Sequence, residues 1–153
     1  TYTAHDNTSI NAKSIGDTDW NRVVTSLVTD TSDLFFNQAT FNQDISTWDT
    51  SNVNGMNFMF NTAEAFNQNI SSWNTTNVQD MNYMFRNASS FNQNIRFWDT
   101  SNVSIMKDMF SGAVSFNQDL SSWSVDNVTV CDGFSQGATS WTLPQPNFTN
   151  CTP

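Results

Sequence analysis

Apolar and polar residues alternate along this chain in a pattern that begins at Phe41 and returns with a fixed period at Phe66, Phe91 and Phe116. Within the first unit, the apolar positions of the segment 53–63 follow a three- and four-residue spacing: Val53, Met56, Met59, Phe60 and Ala63. This spacing is typical of a short helix. Thr50, Ser51 or Asn52 would cap the start of that helix.

The segment before this helical pattern, "DISTWDT" at 44–50, contains strand-forming residues. In a strand, Trp48 and Thr50 would lie on one face, and Thr47 and Asp49 on the other. The "FNQD" segment ahead of it is typical of a turn. Each unit is therefore predicted to be a short strand, a helical segment and a return turn. An all-β coil remains an alternative, because the apolar pattern is too short to exclude it.

The same residue types occupy equivalent positions, here called columns, in four full units that cover residues 41–140. The clearest columns are Phe41, Phe66, Phe91, Phe116 and Trp141; Ile45, Ile70, Ile95 and Leu120; Trp48, Trp73, Trp98 and Trp123; Asn52, Asn77, Asn102 and Asn127; and Met59, Met84, Met109 and Phe134. A fixed period in the range of about 20–50 residues indicates a solenoid, in which each unit covers the apolar face of the one before it. We expect the Asn column to face inward and to bond the backbone of neighbouring units.

One domain with two caps is predicted: residues 1–40 form an N-terminal cap with a degenerate repeat, 41–140 the four repeats, and 141–153 a C-terminal cap. In the N-terminal part, apolar residues recur at helical spacing: Trp20, Val23, Val24, Leu27 and Val28. They indicate either an amphipathic lid or a degenerate coil with a three-residue insertion. His5 is expected to lie in a mobile tail.

The pattern F-N-Q-[DN]-[IL]-S-x-W-[DN]-T-S-N-V-x-x-M-x-x-M-F-x-x-A resembles the BspA-like leucine-rich-repeat family of bacterial and protist surface proteins. The resemblance covers about two-thirds of the chain. It implies an α/β solenoid, a leucine-rich-repeat-like right-handed coil of about 25-residue units. It also implies an extracellular or cell-surface location and a role in adhesion or binding, with no reaction. That family has no defined ligand-binding motif, so it assigns no site residue here.

Charge narrows the range of partners. The net charge is -9, and the chain of 153 residues contains only five Lys and Arg. Binding to nucleic acid requires basic residues that displace counterions, so we expect no nucleic acid to bind this chain.

No apolar stretch approaches the ~20 residues of a membrane span, and no membrane insertion is expected. The first residues do not match a signal peptide and indicate a mature or trimmed start. A monomer is expected.

The two cysteines, Cys131 and Cys151, both lie near the C-terminus. They form either a disulfide that holds the tail against the last unit or two free thiols. The disulfide, the scarcity of Lys and several N-x-S/T sequons favour a secreted protein.

The residues do not suggest an enzyme or a cofactor. His5 is the only histidine, and neither a nucleophile–His arrangement, a phosphate-binding glycine loop nor a zinc-binding cluster is recognisable. Two columns are partly acidic: Asp44, Asn69, Asn94 and Asp119; and Asp49, Asn74, Asp99 and Ser124. Oxygen ligands in rows suit Ca²⁺, but Asn or Ser interrupts both rows. A solvated row that stabilises turns is therefore favoured, and no metal is expected.

The candidate ligand-binding residues are those expected on the outward face of the stacked strands: Thr47, Asp49, Ser72, Asn74, Arg96, Phe97, Asp99 and Ser122. Arg96 and Phe97 depart from the small hydroxyl residues of the other units. An exposed aromatic ring beside an arginine suits contact with a protein or a glycan. The alternatives are neutral drift or a contact with the N-terminal segment.

Three functions follow from these patterns. The first is an extracellular or cell-surface module for adhesion that binds a protein or glycan through the stacked-strand face. The second is a structural spacer with no specific ligand. The third is an ice-binding surface, for which Thr50, Thr75 and Thr100 form a candidate row, although this row shares the face of the tryptophans.

Overall fold

The computed structural model describes residues 2–13 and 16–153. Within these residues, the helices and strands lie before residue 28: β1 (Thr3–Asp6), α1 (Asn7–Asn11), a short 3-10 helix (Trp20–Arg22) and β2 (Val23–Leu27). β1 and β2 pair in parallel, with an irregularity after Ala4. α1 begins where the Asp6 side chain accepts a hydrogen bond from the backbone N–H of Ser9.

From residue 28 onward, successive units stack on one another. Isolated parallel bridges join them at one position per unit: Asp30, Gly55, Asp80, Ile105 and Val130. The segments that follow these bridges, 30–37, 55–62, 80–87, 105–112 and 130–137, are called turn legs below. They are runs of overlapping turns rather than strands or helices.

Each turn leg except the last donates hydrogen bonds to the next one. The backbone N–H groups of Met56, Phe58, Phe60 and Thr62 donate to the carbonyls of Asp80, Asn82, Met84 and Arg86, at 2.8–3.0 Å. The acceptor lies in the following unit in every case. The same ladder recurs from the first turn leg to the last. These bonds satisfy backbone groups that would otherwise be unpaired.

The turn legs explain why the helix predicted over 53–63 is not seen. Alternate N–H groups donate to the next unit, and the remaining ones close short turns, as from Met59 to the Met56 carbonyl. Phe58 and Thr62 have φ values of 57° and 59°, which an α-helix does not contain. Consecutive turns still place every third or fourth side chain on the core side, so the apolar spacing resembles that of a helix.

The segment predicted as a strand is also a series of turns. The backbone N–H of Trp48 donates to the Ile45 carbonyl, and the Asp49 side chain accepts from the backbone N–H of Ser51. No strand is assigned over residues 44–50. Asp and Ser side chains compete here with any neighbouring strand for the backbone groups. The all-β alternative is not seen as extended strands either, because neighbouring units are joined by single bridges.

The core lies between the turn legs and the tryptophans. Equivalent rings stack along the array: Trp48 on Trp73 at 6.0 Å between ring centroids, and Phe66 on Phe91 at 5.8 Å. The indole N–H of Trp73 donates to the Ile45 carbonyl in the preceding unit at 3.2 Å. The buried columns are therefore held by both ring packing and a repeated hydrogen bond.

The N-terminal cap differs from both sequence interpretations. Trp20 occupies the isoleucine column, because its carbonyl accepts from the Trp48 indole as Ile45 accepts from Trp73. No three-residue insertion is needed. The predicted amphipathic helix is instead the 3-10 helix followed by β2. His5 lies in β1 rather than in a mobile tail.

The C-terminal tail folds back onto the last unit. Cys131 and Cys151 form a disulfide with their Cα atoms 5.9 Å apart, so neither cysteine is a free thiol. Phe148 packs edge-on against Phe134 at 4.9 Å. Within 2–13 and 16–153, no helix has the length and apolar character needed to cross a membrane.

Candidate binding surface

The predicted hydroxyl column lies on the exposed surface, and its side chains join neighbouring units. Thr47, Ser72 and Ser122 each donate to a backbone carbonyl of the preceding unit, at 3.1–3.3 Å. These three hydroxyl protons are therefore engaged within the stack. Each hydroxyl oxygen can still accept a hydrogen bond from another molecule.

The predicted acidic column stabilises turns. The side chains of Asp49, Asn74 and Asp99 each accept a hydrogen bond from the backbone N–H two residues later. Hydrogen bonds from Ser51 and Ser101 lower the pKa of Asp49 and of Asp99 respectively. Among the described residues, no group of three or more His, Cys, Asp or Glu side chains is placed to hold a metal ion.

The Asn column makes the predicted bonds from an unpredicted position. The side-chain amides of Asn52, Asn77, Asn102 and Asn127 donate to backbone carbonyls of the preceding unit at 2.6–2.8 Å. These residues are exposed rather than inward. The column therefore forms a row of side-chain hydrogen bonds that join neighbouring units along the exposed edge of the stack.

Phe97 breaks the hydroxyl column and lies 81% exposed. It has no hydroxyl, so it does not make the bond to the preceding unit that Ser72 and Ser122 make. The guanidinium carbon of Arg96 lies 5.3 Å from the centroid of the Phe97 ring. We call Phe97, Arg96 and the flanking Ser72 and Ser122 the Phe97 surface.

Arg96 connects this ring to an acidic neighbour. The pKa of Asp119 is lowered chiefly by hydrogen bonds from Ser121, and the positive charge of Arg96 adds to the effect. The Arg96 Nε atom is buried and has no hydrogen-bond partner among the described residues. The Phe97 surface thus combines an apolar ring, a cation and hydroxyl oxygens.

Among the described residues, a cavity lies near each end of the stack, and neither is lined by Phe97. One, of about 410 Å³, is lined by Gly133, Ser135, Gln136 and Pro153. The other, of about 370 Å³, lies beside β1 and contains His5 and Lys13. Lys13 forms ion pairs with Asp17 and Asp19 there.

Sequence analysis missed an aromatic row on the turn legs. Phe36 packs edge-on against Phe58 at 6.2 Å, and Phe58 stacks on Tyr83 at 4.6 Å. Arg86 lies over the Tyr83 ring at 5.5 Å. The available signal was the variable column that contains Phe58 and Tyr83, where other units have Asp or Gly. Only the Phe58 and Tyr83 rings stack face to face; Phe36 meets Phe58 edge-on and is 40% exposed.

Comparisons with known proteins place the chain in a family of unknown function. Comparison with curated proteins found no match, and comparison with solved structures found none either. A family model matches twice, at residues 2–99 and at residues 73–151. The two matches overlap and together span nearly the whole chain, as expected of a repeat. The chain therefore belongs to the family described as "Mycoplasma protein of unknown function, DUF285".

Proposed function

We propose that this chain is an extracellular or cell-surface repeat module that binds a protein or a glycan through the Phe97 surface. The observation that carries the proposal is the 81% exposure of Phe97 in a column whose other side chains bond to the neighbouring unit. Exposure of a large apolar ring to water is unfavourable in the free protein. Burial of that ring by a partner therefore contributes favourably to the free energy of binding.

The chemistry of this surface suits both partner classes. An aromatic ring packs against the apolar face of a sugar or against an apolar side chain. Arg96 supplies several N–H donors in a fixed plane, while the oxygens of Ser72 and Ser122 retain acceptor capacity. The resemblance to BspA-like surface repeats and the Cys131–Cys151 disulfide support a location outside the cytoplasm. No reaction, metal or cofactor is part of the proposal.

The stacking of units supports a solenoid of the leucine-rich-repeat kind as the fold class, although each unit is built from turns. The threonine row considered for ice binding is not on the surface. Its members are each 1% exposed and donate to carbonyls of the next unit: Thr50, Thr75 and Thr100. The spacer function makes a different prediction, since no exposed side chain would then matter for binding.

A binding experiment separates the two remaining functions. Glycan and extracellular-protein arrays are probed with the wild-type protein, with Phe97→Ser and with Leu143→Ser. Phe97→Ser replaces the ring by the residue type of the neighbouring units, and Leu143 is a control residue that is 43% exposed in the tail. We expect a ligand whose affinity falls about tenfold or more with Phe97→Ser and less than about twofold with the control. Binding that is equal for all three proteins, or no binding at all, would contradict the proposal.

A further inference from the structure

The hydrogen-bond ladder of the turn legs has a direction, and this leaves different groups unpaired at its two ends. The turn legs donate alternate N–H groups to the following leg, and the interior ones also accept on alternate carbonyls from the preceding leg. Among residues 2–13 and 16–153, no further leg follows the last one to receive its donors, and none precedes the first one to fill its acceptors.

At the C-terminal end, the free groups are donors. In the described structure, the backbone N–H groups of Gly133, Ser135 and Gly137 have no acceptor, whereas the corresponding N–H of Gly112 donates to Gln136 at 2.8 Å. The tail contacts this leg through the disulfide, through Phe148 packed on Phe134 and through a side-chain bond from Ser135 to Gln145. None of these is a backbone hydrogen bond, so the tail does not continue the ladder. The 410 Å³ cavity lined by Gly133 and Ser135 lies along this row. Gly137 is exposed, and Gly133 and Ser135 are half-buried.

At the N-terminal end, the free groups are acceptors. The carbonyls of Ser32, Leu34 and Phe36 receive no hydrogen bond from the described residues. The N-terminal segment pairs with β2 and bonds to Thr29 and Asp30 through Asn7, and none of its described residues donates to these three carbonyls. Phe36 itself is 40% exposed.

The two end legs have the backbone conformation of the interior ones. The φ values are 61° at Asp33 and 58° at Asn37 in the first leg, and 66° and 75° at Gly133 and Gly137 in the last. Left-handed residues at every fourth position set the direction of the intervening donors and acceptors. An ordinary β-strand does not contain such residues, so it does not match either row.

We propose that the last turn leg pairs head-to-tail with the first turn leg of a second copy of this chain. The register of the ladder fixes the contacts: Gly133, Ser135 and Gly137 would donate to the carbonyls of Ser32, Leu34 and Phe36 of the second copy. The backbone pairing across this junction would repeat that of an interior one. Such a contact joins two different surfaces and leaves one end of each copy free, so it extends into a chain of copies rather than closing as a dimer.

Electrostatics oppose this pairing at low salt. Asp132 lies on the donor leg, and Asp30 and Asp33 lie on the acceptor leg, in a chain of net charge -9. The caps also restrict contact to the turn legs. The association is therefore weak, strengthens with salt as the carboxylates are screened, and departs from the monomer expected from sequence.

Sedimentation velocity at rising protein concentration tests the proposal. Asp132→Lys replaces the repulsion at the junction by attraction, and Asp126→Lys is a matched control with the same charge change on the last unit but off the turn leg. We expect Asp132→Lys to raise the association constant about tenfold over the control. Equal association of the two variants, or a monomer in both at millimolar concentration, would overturn the proposal.

Cross-linking tests the register independently. Column partners in adjacent units lie about 5 Å apart, within disulfide reach, so Gln136→Cys and Phe36→Cys proteins are mixed under mild oxidation. We expect mixed cross-links between the two variants to exceed self-cross-links of either variant about tenfold. Peptide mapping verifies that the Cys131–Cys151 disulfide is intact. Self-cross-links that equal or exceed the mixed product would mean that the ends do not pair head-to-tail.

Discussion

The two ends of the stack differ in how the terminal segment is attached to the outermost unit. At the N-terminal end, the Asn7 side chain accepts from the N–H groups of Thr29 and Asp30 at 2.8 and 3.2 Å and donates to the Thr29 hydroxyl. At the C-terminal end, a disulfide between Cys131 and Cys151 anchors the tail. One cap depends on polar side chains and packing, whereas the other depends on a covalent bond.

The aromatic residues of the caps show a second difference from the interior. Interior tryptophans donate their indole N–H to a carbonyl of the preceding unit, as Trp73 does to Ile45. Trp20 and Trp141 are buried, but neither indole N–H has a partner in the described structure. The caps therefore retain large rings for their packing alone. We infer that the N-terminal cap depends most on its buried ring and the C-terminal cap on its disulfide.

The largest effect is expected from Trp20→Ala. Trp20 is fully buried and contacts Phe35, Phe41 and Trp48 within 6.0 Å. Its truncation leaves a cavity and should lower the free energy of unfolding by about 3–5 kcal/mol, measured by urea denaturation. Trp141→Ala should cost less, because Trp141 is 9% exposed and the disulfide retains the tail. A larger loss for Trp141→Ala would reverse the comparison.

The next effect is expected from removing the disulfide. The double variant Cys131→Ser, Cys151→Ser opens a loop closed by a 20-residue separation, which should cost about 3 kcal/mol. Hydrogen exchange should increase in residues 131–151 and remain unchanged in β1 and β2. If exchange rose equally at both ends, the caps would not be independent.

A smaller effect is expected from the asparagine of each cap. Asn7→Ala removes the shared acceptor of two exposed backbone N–H groups, which water then bonds, and should cost about 1–2 kcal/mol. Asn150 makes one bond, to the Asp126 carbonyl at 2.6 Å, and Asn150→Ala should cost about 0.5–1.5 kcal/mol. Thermal unfolding of both variants at one pH would compare them. Equal losses would show that the number of cap bonds does not set stability.

The smallest effect concerns pH. Burial and repulsion from Asp30 raise the pKa of Asp33, so its contribution to stability is present below the unfolded pKa and is lost as pH rises through the folded value. Hydrogen bonds from Ser121 lower the pKa of Asp119, so its contribution is present above the unfolded pKa and is lost as pH falls.

Asp33→Asn should therefore raise the Tm at pH 7, and this advantage should shrink as the pH falls toward about 4 and disappear below it. Asp119→Asn should lower the Tm at pH 7, and the deficit should shrink at still lower pH. Differential scanning calorimetry from pH 7 to 2 would follow both. Differences from wild type that do not change with pH would exclude these two titrations as the cause.

Much of the arrangement was predictable from the columns of the sequence. The buried phenylalanines, tryptophans and methionines were recognisable because each recurs at the same place in successive units. The exposure of Phe97 was also predictable, because it replaces a small hydroxyl residue in one unit only. In contrast, the local conformation was predicted incorrectly: the spacing of Met56, Met59 and Ala63 fits both a helix and a run of turns.

The row of unpaired backbone donors at one end and the row of unpaired acceptors at the other were not predictable. Whether Gly133 or Ser32 has a free backbone group depends on the direction of a ladder whose donors and acceptors belong to different units. Residue types carry no direct record of backbone pairing. The same reason hid the exposed position of the Asn column, since an asparagine bonds a carbonyl equally well from either side of the chain.

The sequence by itself determined that consecutive units cover one another, because no single unit has enough apolar surface to fold alone. It also determined which side chains enter the shared interior. Only the tertiary structure decided how the backbone runs between those side chains, because hydrogen bonds to the adjacent unit replaced those within a helix or strand. That choice fixes which groups remain free at each end and which side chains of the outer edge remain available to a partner.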